Sequence, residues 1–92
     1  MNCYRYKAAP KFWRNYKKLT PSQKLAAKAA WKIFKRDPFD PQLRTHKINF
    51  LSAIFKRTVY AAVIESDLRV TFYVEGDTVF TTNIGTHAIY RS

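Results

Sequence analysis

The chain has 92 residues, 47% of them hydrophobic and 16% aromatic, with 17 Lys and Arg against six Asp and Glu. That length holds a single domain, residues 1–92, with one modest core, and the composition excludes a disordered chain. A single cysteine, Cys3, excludes an internal disulfide framework and a cysteine-based zinc site, and it fits a reducing, cytoplasmic setting. No apolar run approaches a membrane span, and Arg5 and Lys7 lack the apolar stretch that would follow them in a signal peptide. The formal net charge is +11, and residues 1–36 carry eleven basic side chains and no acidic one. A surface so charged attracts a polyanion or an acidic protein. A membrane fits less well, because the basic segments are alanine-rich and lack a strongly apolar opposite face.

In chain order, Cys3, Arg5 and Lys7 alternate with Tyr4 and Tyr6, the pattern of a short edge strand. Pro10 then opens a helix with Phe12, Trp13, Tyr16 and Leu19 at helical spacing and Lys11, Arg14, Lys17 and Lys18 on the remaining sides. Thr20-Pro21-Ser22-Gln23 starts a second helix: Thr20 caps, Pro21 suits the first helical position, and Gln23 completes a capping box. That helix runs to Lys35 or Arg36 and stops ahead of Asp37-Pro38. Its buried stripe is expected to be Leu25, Ala29, Ile33 and Phe34, with Ala26 and Ala30. Lys24, Lys28, Lys32 and Lys35 form a basic ridge. The two helices read as an antiparallel hairpin.

Pro38 and Pro41 mark residues 37–43 as a loop, and Arg44-Thr45-His46-Lys47-Ile48 begins the next strand. Residues 49–57 read equally as a short helical turn or an irregular connection. Thr58 to Ile64 is a strand. Asp67 to Val74 and Thr78 to Ile84 form a hairpin around Glu75-Gly76-Asp77. Leu68, Val70, Phe72 and Val74 fall on one face of its first strand, and Arg69, Thr71 and Tyr73 fall on the other. The sequence therefore predicts an α+β domain. A short N-terminal strand and a helical hairpin pack on one face of a three- to four-stranded, mainly antiparallel, twisted sheet. The polar face holds Arg69 on a rigid scaffold beside a strand that ends near His87. A phosphate-handling site needs such a cation and such an imidazole.

Three spaced segments carry a resemblance. Leu43-Arg44-Thr45-His46-Lys47-Ile48 after the proline loop is the first. Asp67-Leu68-Arg69-Val70-Thr71-Phe72 with Glu75-Gly76-Asp77, and Ile84-Gly85-Thr86-His87-Ala88-Ile89-Tyr90, are the others. Together with the helical hairpin they resemble the RelE/ParE-type toxins of bacterial type II toxin–antitoxin systems over essentially the whole chain. That superfamily contains endoribonucleases that cleave mRNA, gyrase poisons and members without activity. For the ribonucleases the resemblance implies a cleavage without metal or cofactor, often on the ribosome. The RNA 2′-hydroxyl attacks the adjacent phosphate and expels the 5′-oxygen.

Position by position, the resemblance makes Arg69 the phosphate-stabilising arginine and His87 the general acid or base, with His46 a second catalytic candidate. Arg44, Lys47, Lys56 and Arg57 become phosphate contacts, and Tyr90 an aromatic that stacks on a base. It also implies an acidic antitoxin as protein partner. Each residue has a plainer reading: Arg69 paired with Asp67 or Glu65, His46 bonded to backbone at a strand start, and Tyr90 packed. Ala88 departs from the pattern, since many relatives carry an acidic residue after the histidine. A gyrase-poison-like or inactive binding module, or a general RNA-binding protein, are the alternatives to the nuclease.

Overall fold

The structure is a computed structural model that describes residues 4–65, 67–86 and 88–89. The elements run β1 (Arg5–Ala8), α1 (Pro10–Lys17), α2 (Pro21–Phe34), a 3-10 turn (Pro41–Leu43), β2 (His46–Lys47) and α3 (Asn49–Phe55). They continue with β3 (Tyr60–Glu65), β4 (Leu68–Glu75) and β5 (Thr78–Gly85). The five strands form one sheet in the order β1-β5-β4-β3-β2. The fold is therefore α+β as expected, but the sheet has five strands rather than three or four, and it is mixed. β2 to β5 pair antiparallel in sequence, whereas β1 returns alongside β5 in parallel, with Tyr6 opposite Val79 and Ala8 opposite Thr81. A parallel return needs a long crossover, which no local pattern in the sequence announces.

Local chemistry sets the element ends. The Thr20 hydroxyl accepts from the Gln23 amide at 3.1 Å, and the Gln23 side chain accepts from the Thr20 amide at 2.9 Å, completing the capping box. Asp37 and Asp40 accept from the amides of Phe39 and Gln42, so the proline loop is tied by its own side chains. Gly76 sits in the β4–β5 turn at φ +60, a conformation that costs a glycine nothing.

α1 and α2 cover one face of the sheet. Phe34 of α2 stacks edge-on against Phe72 of β4 with ring centroids 5.0 Å apart, and Leu43, Ala62, Val70 and Val79 complete that core. The expected α2 stripe needs correction: Ala27 and Phe34 are buried, while Leu25 is 68% exposed and Ala29 is exposed too. Leu25 and Ala29 lie about 160° around the helix from Ala27 at 3.6 residues per turn. Seating the large Phe34 ring on Phe72 turns them outward.

The second correction concerns the polar sheet face. Residues 49–55 form a true helix, α3, and it packs there, with Leu51 in a cluster with Ile48, Val59 and Ala61 and with Tyr73 against it. The Ser52 hydroxyl pins this helix, donating to the Ile48 carbonyl oxygen at 2.8 Å and accepting from the Val59 amide at 2.9 Å. Thr71, expected on an open face, is consequently 1% exposed. Its hydroxyl shares a hydrogen bond with that of Thr82 at 2.7 Å, beside the register shift between β4 and β5.

β1 is held to α2 by the Tyr6 hydroxyl, which donates to the Phe34 carbonyl oxygen at 2.6 Å. Burial, then the neighbouring Tyr4 and Asp37, push the Tyr6 pKa up to about 12. A raised folded-state pKa gives stability that is present below the ordinary value of 10.0 and is lost as pH climbs through about 12. Tyr6→Phe should cost about 1 kcal/mol near neutrality. It should also remove part of the wild type's decline in stability above pH 10.0, read from urea unfolding of both proteins at several pH values.

Candidate functional site

Those of the residues singled out from the sequence that the structure describes distribute over both faces of the sheet and its rim. Arg69 stands near the start of β4, directly opposite Val63 of β3 and Gly85 of β5. It is half-buried, and its guanidinium donates to the Glu65 carbonyl oxygen at 3.3 Å. A planar guanidinium with five N–H donors is oriented by such a bond to fixed backbone.

Gly85 matters for what it lacks. A Cβ there would lie 2.7 Å from Cγ2 of Ile89. The chain turns back after β5, with the Ile89 amide donating to the Thr86 carbonyl oxygen at 3.0 Å and the Ala88 amide to the Thr86 hydroxyl at 3.4 Å. Ile89 thus sits on the strand position that pairs with Arg69. His87 and Tyr90, the two candidates in this terminal stretch, lie outside the described residues.

Beside this row is a small cleft of about 40 Å³ whose lining includes Lys11, Thr71, Thr82, Asn83 and Ile89. Lys11 reaches it because the β1–α1 corner is tied to β5: the Ala9 amide donates to the Thr81 carbonyl oxygen at 2.9 Å. Further along α1, the Asn15 amide group donates to the Asn83 side-chain oxygen at 2.5 Å. Sequence reading placed Lys11 only among the outer basic residues of α1. The parallel β1–β5 pairing alone carries it to this end of the sheet.

The other candidates stand further off. His46 pairs with Ala61, which pairs with Thr71, so His46 and Arg69 share a face. Two strands and two residues separate them, about 12 Å between backbones at usual sheet spacings, with Ala61 and its Leu51 cover between. The His46 ring bonds through Nδ1 to the Arg44 carbonyl oxygen at 2.9 Å, the arrangement of a strand-start histidine. Lys47 pairs with Tyr60, on the α2 side of the sheet. Arg44 and Lys56 are exposed residues in the left-handed region, at φ 49 and 55. Arg57 pairs with the Glu75 carboxylate and lies over the Tyr73 ring, 4.5 Å from its centre. Tyr73 is four residues along β4 from Arg69, or about 13 Å, so Arg57 belongs to the turn end of the sheet.

Among the described residues no three His, Cys, Asp or Glu side chains converge, and no helix is long and apolar enough to cross a membrane. In the cleft by Ile89, Lys11 stands beside Thr71, Thr82 and the buried Asn83, whose side chains are engaged with one another or with Asn15, so the charge that this side of the sheet can offer an anion comes from Arg69 and Lys11.

No protein-family model matches the sequence, and no curated protein matches it. Solved structures do match in shape. The archaeal RelE of the RelE–RelB complex from Pyrococcus horikoshii OT3 superposes with a TM-score of 0.70 at 14% identity, over 91% of this chain and 94% of its own. A chain of the E. coli DinJ–YafQ complex gives 0.64 at 17% identity, over 94% and 96%. A copper-bound mutant toxin from Helicobacter pylori gives 0.64 at 19% identity, over 94% and 97%. At these identities it is the arrangement of helices and strands that is shared, over nearly the full length of both partners. The chain has the fold of the RelE-like toxins.

Proposed function

We propose that this protein is the toxin of a type II toxin–antitoxin pair and acts as a metal-independent endoribonuclease on mRNA, engaged on the ribosome. One observation carries the reading. Arg69 is anchored to backbone on β4, and the turn after β5 folds back so that Ile89 rests on Gly85, the residue opposite Arg69. Ile89 is thereby returned toward the strand that presents the guanidinium.

Cleavage of RNA by its own 2′-hydroxyl asks three things of a protein. A base takes the 2′-proton, an acid protonates the departing 5′-oxygen, and a fixed cation meets the charge that grows on the phosphorane. Arg69 supplies the cation and Lys11 adds to the field around it. His87 serves as acid or base, since an imidazole with a reference pKa of about 6.5 exchanges protons near neutrality. His46, on the same face but across β3, is assigned an approach role along the RNA rather than a place beside the scissile phosphate. Arg44, Lys47, Lys56 and Arg57 contribute long-range attraction to the backbone, and Tyr90 stacks on a base. The excess of positive charge suits RNA and an acidic antitoxin alike, and two of the structural neighbours were solved as complexes, RelE–RelB and DinJ–YafQ. Ala88 favours the second reading, a non-catalytic binding module, because no carboxylate follows His87 to orient its ring.

Induction of the wild-type chain should arrest growth, and Arg69→Ala and His87→Ala should each release the arrest. Loss of one such group lowers the cleavage rate by about 100- to 1,000-fold, visible as missing cleavage products in primer extension. Undiminished toxicity in both variants, with message intact throughout, identifies the binding module instead. Gly85→Ala displaces Ile89 and the turn it belongs to. It should reduce cleavage by about 100-fold, the cost of misplacing a reacting group by an ångström, while circular dichroism stays like that of the wild type. Wild-type cleavage by this variant would remove the terminal turn from the site.

A further inference from the structure

α3 is apolar on nearly every side. Between Asn49 and Phe55 its only other polar residue is Ser52, whose hydroxyl is already engaged with Ile48 and Val59. Leu51 alone is buried against the sheet, while Phe50 is 55% exposed, Ile54 58% and Phe55 40%. At 3.6 residues per turn Phe50 and Ile54 share one flank, and Phe55 lies roughly 140° round from Phe50, on the side of Tyr73. A helix that is hydrophobic all round is normally buried, in a protein core or in a membrane. This one lies on the surface, with three large side chains exposed.

Charge and shape select what covers it. From residue 41 to residue 64 the chain has no acidic residue. Lys56 and Arg57 follow the helix, Lys11 meets Phe55 in the lining of the small cleft, and Arg69 stands on the same sheet face. Glu75, at the turn end, is paired with Arg57. A second copy of this chain, at +11, is repelled. RNA bases stack on aromatic rings but gain no such contact from Ile54 or Ala53. A folded partner meets one flank of a helix, whereas these side chains diverge around it. A fluid bilayer closes around diverging apolar groups and meets cations at its anionic surface. We infer that α3 docks this protein on an anionic lipid bilayer, with Phe50 and Ile54 inserted below the headgroups and Lys11 and Lys56 against the lipid phosphates. At about 10 Å in length, α3 lies in that interface and does not span it. The lysine stems let their charges stay among the headgroups. The alanine-rich basic segments of the N-terminus lack such an apolar surface, and α3 supplies it. The inference goes beyond the nuclease reading and does not rest on it.

Co-sedimentation of the full chain with lipid vesicles tests this. Vesicles of mixed phosphatidylglycerol and phosphatidylcholine should carry the protein down, and vesicles of phosphatidylcholine alone should not. Binding should weaken steeply in about 1 M salt, where charges are screened within a few ångströms. Replacing both exposed side chains, Phe50→Ser with Ile54→Ser, should weaken it about tenfold or more, with circular dichroism like that of the wild type. Ile54→Leu, which keeps the apolar surface, should bind as the wild type does. Lys56→Gln, which removes one charge, should bind about fivefold more weakly.

No binding to the anionic vesicles overturns the inference, as does equal binding to phosphatidylcholine alone. Wild-type affinity in the double serine variant overturns it too, since the protein would then adsorb by charge without α3. If that variant kept its vesicle binding but lost binding to poly(U) RNA, or to poly(glutamate), α3 would belong to RNA or to an acidic protein instead. None of these measurements reads cleavage, so membrane docking and the nuclease reading stand or fall separately.

Discussion

The structure depends on β4 being covered on both faces. On one side Phe72 is enclosed by the rings of Phe34, Phe39 and Tyr60. On the other, Thr71 is sealed beneath α3, with its hydroxyl satisfied by Thr82. A buried hydroxyl without a partner costs about 1–3 kcal/mol, so this pairing fixes the register of β4 against β5 as firmly as apolar packing does. The register in turn decides that Gly85 lies opposite Arg69. The proposed catalytic geometry is therefore a consequence of core packing two residues away.

The mixed sheet divides the molecule's charge. Because β1 pairs parallel to β5, the chain must cross over through α1 and α2 before the remaining strands form, and this crossover holds most of the basic residues. It lies on one side of the sheet. Arg69 lies on the other, and Lys11 reaches that end through the β1–α1 corner bound to Thr81. The apolar groove between α1 and α2 and the Arg69 side chain thus occupy opposite faces of the sheet.

Among its neighbours in shape, this chain shares nearly full-length superposition at 14–19% identity. Layer packing tolerates such divergence, since many apolar sets of suitable volume fill one sheet–helix interface. The side chains of a site tolerate far less. For that reason the proposed function rests on Arg69, Gly85 and the turn that follows β5, with the fold as scaffold.

Much of this was legible in the sequence, wherever the cause is local. The capping box at Thr20 and Gln23, the hairpin around Gly76 and the alternation along β4 involve neighbours a few residues apart, and each formed as read. Arg69's place on the face opposite Phe72 follows from the two-residue period of a strand. The five-strand mixed sheet, the outward Leu25, the covering of Thr71 by α3 and the arrival of Lys11 near Asn83 did not follow from the sequence. Each depends on long-range choices: which edge β1 joins, how far α2 rotates to seat Phe34, and which face a short, ambiguous segment covers. Local pattern determines what each stretch becomes and which side chains it offers to each face. Burial shared between distant segments decides which of those faces meet, because only the assembled core makes one pairing lower in free energy than its rivals.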